Sequence, residues 1–148
     1  MKPEETIDFN IRSTWHKIAR IYNLQAAEHG VSMATGMVLL NIDLKEGTPS
    51  TSLGPKMGME ARSLTRTLKN LEDEKVIYRE ADKYDKRKVR IFLTELGKEK
   101  REISKNKVIQ FNEHLRKNIK NKELEIFFRV MENINELIDE NHIFFTNE

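Results

Sequence analysis

Apolar side chains recur every three or four positions from Ile7 to Ala27, at Ile7, Ile11, Trp15, Ile18, Tyr22 and Ala26. This spacing predicts a long amphipathic helix, ended by His29-Gly30. Ser32 is placed to cap a second helix running to about Leu44, with Met33, Met37, Leu40 and Leu44 along one side. Lys45-Glu46-Gly47-Thr48-Pro49 reads as a turn. Ser50 to Met57 then forms a short helix that Gly58 stops, although Pro55 removes a hydrogen bond from its interior. From Glu60 to Lys75 the pattern is clearer. Leu64, Leu68 and Leu71 share one face, while Arg62, Arg66, Lys69 and Asp73 project from the other.

The period then changes from helical to alternating. Val76–Ala81 and Val89–Leu93 are rich in β-branched and aromatic residues and predict two strands. The polar run Asp82–Lys88 between them forms the tip of a hairpin, or wing. Thr94 is a good N-cap for a helix reaching about Asn118, with Leu96, Ile103, Val108, Phe111 and Leu115 as its apolar positions. Asn121 can cap a last helix, whose stripe of Leu124, Phe127, Phe128, Met131, Ile134, Leu137 and Ile138 is the most regular in the chain. Ile143-Phe144-Phe145 makes the tail apolar again.

Composition narrows the class. With 148 residues, 38% hydrophobic and 34% charged, the chain suits one soluble, mainly helical protomer that hides further surface by self-association. No apolar run reaches the length of a membrane helix, and the start Met1-Lys2-Pro3-Glu4-Glu5 has no signal-peptide character. The absence of cysteine excludes disulfides, thiolate metal sites and thiol chemistry, and makes the cytoplasm the expected compartment.

The net charge of +2 hides an uneven distribution. Residues 1–55 carry 5 basic and 6 acidic side chains, residues 56–101 carry 14 and 9, and residues 102–148 carry 7 and 9. The positive excess centres on Lys83, Lys86, Arg87, Lys88 and Arg90, which face only Asp85 in that stretch. Such a patch suits phosphates or serves as a solvated hairpin.

The order of elements predicts a mainly α fold with a β-hairpin wing (α+β), a winged helix-turn-helix flanked by long N- and C-terminal helices. A helix entering the major groove needs an apolar back and a cationic front. Glu60–Lys75 has both: Arg62 and Arg66 can donate to guanine edges or phosphates, Ser63 and Thr65 allow close approach, and Lys69 suits a phosphate.

The stretch from Ser63-Leu64-Thr65-Arg66 through Leu71-Glu72 to the wing resembles the multiple-antibiotic-resistance regulator (MarR) family. That family's wing signature is Asp-x-Arg, five residues, Leu-Thr, two residues, Gly. Asp85-x-Arg87, Leu93-Thr94 and Gly97 keep every spacing. The resemblance covers roughly residues 7–140. It implies a homodimeric transcription regulator, usually a repressor, bound to a pseudo-palindromic operator in double-stranded DNA. The implied DNA-binding lobe is residues 32–97, and the implied dimerisation helices are 7–29 and 98–145 of a single protomer, 1–148. Glu60–Lys75 would be the recognition helix. Arg87 would enter the minor groove, braced by Asp85 and flanked by Lys86 and Lys88. The dimer interface would draw on Ile7, Ile11, Phe127, Phe128, Met131, Ile134, Leu137 and Ile138. Members often bind small aromatic or phenolic anions, and Arg12, Trp15, His16, Tyr22 and Met37 could line such a crevice. Two departures stand out: Leu53-Gly54-Pro55 where the family usually has Leu-Ala, and Met59-Glu60-Ala61 where it often has a better cap.

The rival readings are an enzyme and a winged-helix dimer that binds protein, or acts as a co-regulator, without specific DNA binding. The six glycines are scattered, so there is no phosphate loop. His16, His29, His114 and His142 show no metal-ligand spacing. The expectation is therefore no catalytic residue, no metal, no cofactor and no membrane partner. The cations on the helix and wing favour DNA over a purely protein-binding module.

Overall fold

The computed structural model describes residues 1–140, the side chain of Ala27 excepted. The apolar tail Ile143-Phe144-Phe145 and His142 lie outside the described residues. Among the described residues six α-helices form: α1 (Ile7–His29), α2 (Met33–Leu40), α3 (Ser50–Met57), α4 (Ala61–Asp73), α5 (Glu95–Asn118) and α6 (Asn121–Asp139). Three short strands accompany them: β1 (Thr48–Pro49), β2 (Ile77–Ala81) and β3 (Val89–Leu93). The sheet is antiparallel in the order β1-β3-β2. The chain divides into two compact units, Met1–Lys107 and the residues from Val108 onward.

In the first unit, α2, α3, α4 and the sheet enclose one core of Val38, Leu39, Ile42, Leu53, Leu64, Leu68, Leu71, Val76, Ile77, Ile91 and Leu93. The leucine face of α4 is buried, as its period requires. Register follows from alternation: Ile77 pairs with Leu93 and Arg79 with Ile91, which carries Ile77, Ile91 and Leu93 into the core.

The second helix is shorter than its apolar run suggests. It stops at Leu40 rather than near Leu44, because local side chains offer the backbone other partners. Asp43 Oδ1 accepts from the Lys45 and Glu46 N–H groups, and Thr48 Oγ1 accepts from the Asp43 N–H. Leu44 is exposed, and the buried residues of α2 are Gly36, Val38 and Leu39, not the Met33, Met37, Leu40 side. A helix apolar on every face does not announce which face wins. Thr48-Pro49 is likewise not a turn but a third strand, with Thr48 opposite Ile91 and Pro49 opposite Arg90. The pair is too short to carry an alternating pattern.

Pro55 does lie inside α3, near its end, where it is exposed. Gly58 takes a left-handed conformation at φ 60 and ends the helix, and the Met59 N–H reaches back to the Gly54 carbonyl at 3.1 Å. Gly54 permits close packing at this bend: a Cβ there would sit 3.3 Å from the Met59 carbonyl oxygen and 3.4 Å from Leu64 Cδ2.

Thr94 caps α5 as expected, its hydroxyl accepting from the Gly97 N–H at 3.1 Å. Of the apolar positions on α5, Leu96 and Val108 are exposed, while the buried residues are Gly97 and Ser104. Small side chains mark the face because backbones come close: a Cβ on Gly36 of α2 would lie 3.0 Å from Ser104 Oγ. Arg101 Nε donates to the Leu39 carbonyl at 3.2 Å and Lys100 Nζ to the Gly30 carbonyl at 3.3 Å, so cations of α5 cover carbonyls at the C-terminal ends of two helices.

In the second unit α6 begins one residue earlier than its asparagine suggests. Lys120 is the N-cap, and Glu123 turns back to accept from its N–H at 3.1 Å. None of the α6 residues is buried. Phe127 and Phe128 meet edge to face at 5.4 Å, and the Arg116 guanidinium lies over the Phe128 ring at 5.9 Å.

Candidate nucleic-acid interface

The exposed side of α4 carries Arg62, Ser63, Thr65, Arg66 and Lys69, all of them open to solvent. Arg62, Arg66 and Lys69 stand at i, i+4 and i+7, so they form one line along the helix. No ion pair among the described residues engages any of the three. The acid next along this helix is neutralised elsewhere: Glu72 accepts from Arg79 Nε of β2 at 2.9 Å. Thr65 donates its hydroxyl proton to the Ala61 carbonyl at 2.8 Å. It therefore offers a partner lone pairs and a methyl group, not a donor. Glu60 is the N-cap, and its side chain makes no capping bond.

The turn leading to β2 is set by Lys75 in a left-handed conformation (φ 57). The Val76 N–H reaches the Leu71 carbonyl at 2.8 Å. Here the family signature acquires a physical meaning. The Thr94 hydroxyl lies 2.7 Å from the Lys75 carbonyl and 3.0 Å from that of Val76, while it accepts from Gly97. A Cβ on Gly97 would collide with the Val76 carbonyl oxygen. The Leu-Thr-x-x-Gly end of the signature thus locks the start of α5 onto the junction between α4 and the wing. Leu93 is buried in the same core.

At the wing tip, Asp85 and Arg87 meet as the signature leads one to expect. Asp85 Oδ1 accepts from both the Arg87 N–H at 3.1 Å and Arg87 Nε at 3.2 Å. The Arg87 side chain is nonetheless 92% exposed. Its direction is restrained while its remaining guanidinium donors stay available. Lys86 and Lys88 are exposed beside it.

A second acid–base pair, at the wing's base, joins Arg90 of the basic run to Asp82, which the sequence reading does not single out. Asp82 is buried, although it belongs to the polar run. Its Oδ1 accepts from the Tyr84 N–H at 2.8 Å and the Asp85 N–H at 3.1 Å, and its Oδ2 from Arg90 Nη1 at 2.9 Å. The Tyr84 amide, then Arg90, hold its carboxyl well below the usual range, at about 2. Arg90 also donates to the Glu46 carbonyl at 2.8 Å and the Gly47 carbonyl at 3.4 Å. It is therefore not part of the outward basic patch its position in the run suggests. The signal that could have found this pair is an aspartate opening a turn, where its oxygens collect the following amides.

Of the five residues expected to line a crevice, two line one groove. Trp15 and Met37 share an open groove of about 460 Å³ with Met33, Met57, Gly58 and Met59. Arg12, His16 and Tyr22 are not among its lining residues. Burial raises the Tyr22 phenol above its usual pKa. Ile7 and Ile11 are exposed on α1. On α6, Phe127, Phe128, Leu137 and Ile138 are exposed, and Met131 and Ile134 are half-buried.

Residues 31–89 match the model of the MarR family. The HTH-type transcriptional regulator TtmR of Methylorubrum extorquens (strain PA1) is 31% identical over 90 residues, 61% of this chain and 46% of that protein. The chain spans about half the length of the curated relatives it matches. A MarR/EmrR family transcriptional regulator from Acinetobacter sp. ADP1 has the same fold, with a TM-score of 0.83 at 20% identity over 95% of this chain and 99% of that one. MepR of S. aureus, solved as a DNA complex, gives 0.77 at 19% identity over 91% and 98%. No described helix is long and apolar enough to cross a membrane. Family match, fold and an intact Asp-x-Arg…Leu-Thr-x-x-Gly signature agree: over residues 31–89 this winged helix-turn-helix is similar to the MarR family.

Proposed function

We propose that this protein is a sequence-specific DNA-binding transcription regulator of the cytoplasm, a homodimeric repressor with no catalytic role, released by a small-molecule effector. The observation that carries the reading is α4 itself. Its apolar back is buried, and its cations Arg62, Arg66 and Lys69 enter no ion pair among the described residues. No described acid is paired with them, so a polyanion is their natural partner. A winged helix used only for protein contacts has no need of such a row. Arg87, braced by Asp85, suits the narrow, electronegative minor groove of A·T-rich DNA.

The dimer would be two-fold, built on the exposed apolar residues of α1 and α6 named above. Paired recognition helices then read half-sites about one helical turn, roughly 10 bp, apart. An aromatic or phenolic anion is the proposed effector. Its support is the groove at Trp15 and Met37, which adjoins the α3–α4 turn.

Fluorescence anisotropy with duplexes, in a salt series, tests the reading. Arg66→Ala should cost about 1–3 kcal/mol on the selected operator and less on random DNA. Arg87→Ala should weaken both and lower the salt slope by about one. A folded protein with no salt-dependent affinity for any duplex would overturn the proposal.

A further inference from the structure

The chain has six methionines and no cysteine. Four of the six, Met33, Met37, Met57 and Met59, line the single groove that also holds Trp15. They come from separate elements. Met33 and Met37 lie one turn apart on α2, Met57 is the last residue of α3, and Met59 follows in the bend before α4. All four are half-buried, so a small reagent reaches them and their packing still matters. Met57 also packs against the buried core. Leucine would fill such space equally well. What methionine adds is a thioether that accepts an oxygen atom reversibly.

We propose that this methionine cluster is an oxidation site, at which a two-electron oxygen donor (a hydroperoxide or a hypohalous acid) converts Met57 and Met59 to sulfoxides and so weakens the grip of α4 on DNA. With hydrogen peroxide the thioether sulfur attacks one peroxide oxygen. The S–O bond forms as the O–O bond breaks, and the transferred oxygen gives its proton to the departing hydroxide, which leaves as water. Sulfur is oxidised by two electrons and the peroxide is reduced by two. The product is polar where the thioether was apolar, and burying it without a partner is unfavourable. The bend that must adjust is tight. It is held by the Met59 N–H on the Gly54 carbonyl at 3.1 Å, and Gly54 leaves no slack there. Glu60, the N-cap of α4, follows Met59 directly. Opening this bend therefore moves the recognition helix relative to α3.

The effect on DNA rests on the DNA-binding reading above, so the test separates the two. The intact protein is treated with hydrogen peroxide, each methionine is followed by peptide mass spectrometry, and Trp15 emission and duplex affinity are measured before and after. Met1, 98% exposed, reports that the reagent was active. The expected result is oxidation at Met57 and Met59, a changed Trp15 emission and about a tenfold or greater loss of affinity. Methionine sulfoxide reductases A and B should reverse all three. Met57→Leu/Met59→Leu, a nearly volume-conserving change, should bind DNA normally and resist peroxide. Met57→Gln/Met59→Gln should bind weakly without any oxidant. The proposal is overturned if Met1 is fully converted while Met57 and Met59 are not. It is also overturned if their conversion leaves affinity and emission unchanged, or if the leucine variant is equally sensitive. Untreated protein that binds no duplex would instead overturn the DNA-binding reading, and the oxidation site is then decided by the mass spectrum and Trp15 emission.

Discussion

The winged-helix lobe and α6 both advertise apolar stripes, and they fare oppositely. In the lobe Val38, Leu39, Leu53, Val76 and Ile91 are completely buried, enclosed by α2, α3, α4 and the sheet. On α6, Phe127, Phe128, Leu137 and Ile138 each remain more than half exposed. The two regions do not differ in how strongly their sequences are patterned. They differ in whether the described residues of their own unit supply the cover. A stripe states that a face is to be removed from water, and it is silent about what removes it. In the lobe the answer is intramolecular. For α6 the proposed answer is a second copy, and the contrast can be broken by experiment.

The largest expected effect is in the lobe. Leu71→Ala, at a site 2% exposed, should lower unfolding stability by about 2–5 kcal/mol in urea titrations at any protein concentration. A loss within measurement error would show that this core is not what holds the lobe. Gly97→Ala should follow at about 1–3 kcal/mol or somewhat more, since the new methyl must displace the Val76 carbonyl. It should also weaken DNA binding, because that carbonyl sits at the junction of α4 and the wing. A variant as stable as the parent would refute the tight contact.

On α6 the expected behaviour is different in kind. Phe127→Ala and Ile138→Asp should lower the sedimenting mass from about twice 17.5 kDa toward 17.5 kDa and make thermal unfolding depend on concentration. Parent protein that sediments as a folded monomer at micromolar concentration would dissolve the proposed half of the comparison. The smallest effect belongs to the wing's base. Asp82 has a folded pKa of about 2, below the value of about 3.9 expected in an unfolded chain. Its stabilising contribution is therefore complete above about pH 4 and is lost as pH falls toward 2. Asp82→Asn should be less stable than the parent at pH 6, and the difference should shrink on acidification. A difference independent of pH would mean that the Tyr84 and Arg90 bonds do not depend on the charge.

Much of this was legible in advance, for a local reason. Leu64, Leu68 and Leu71 face inward because helical spacing puts them on one side whatever they meet. The Asp85–Arg87 contact and the Thr94 cap both fall inside a short signature, so each is local in sequence. The crevice was not legible in the same way. Arg12 and His16 sit near Trp15 in sequence, yet Trp15's companions in the groove are methionines from α2, the end of α3 and the bend after it. Neighbours along a helix are visible in a sequence, whereas neighbours across a groove depend on packing.

Asp82, Arg90 and Thr48 mark the boundary most sharply. From composition alone, Arg90 belongs to the basic run and Thr48 to a turn. The fold pairs β1 with β3, and Arg90 then finds the Glu46 and Gly47 carbonyls more than forty residues away, together with the carboxylate of Asp82. Periodicity, capping and turn chemistry act over three to five residues, so the chain's own order specifies helices, wing and the exposed cationic face of α4. Which strand a dipeptide joins, which arginine turns inward and which helix face wins are decided by competition among distant groups for the same buried space and the same hydrogen-bond partners. That competition exists only once the chain has folded.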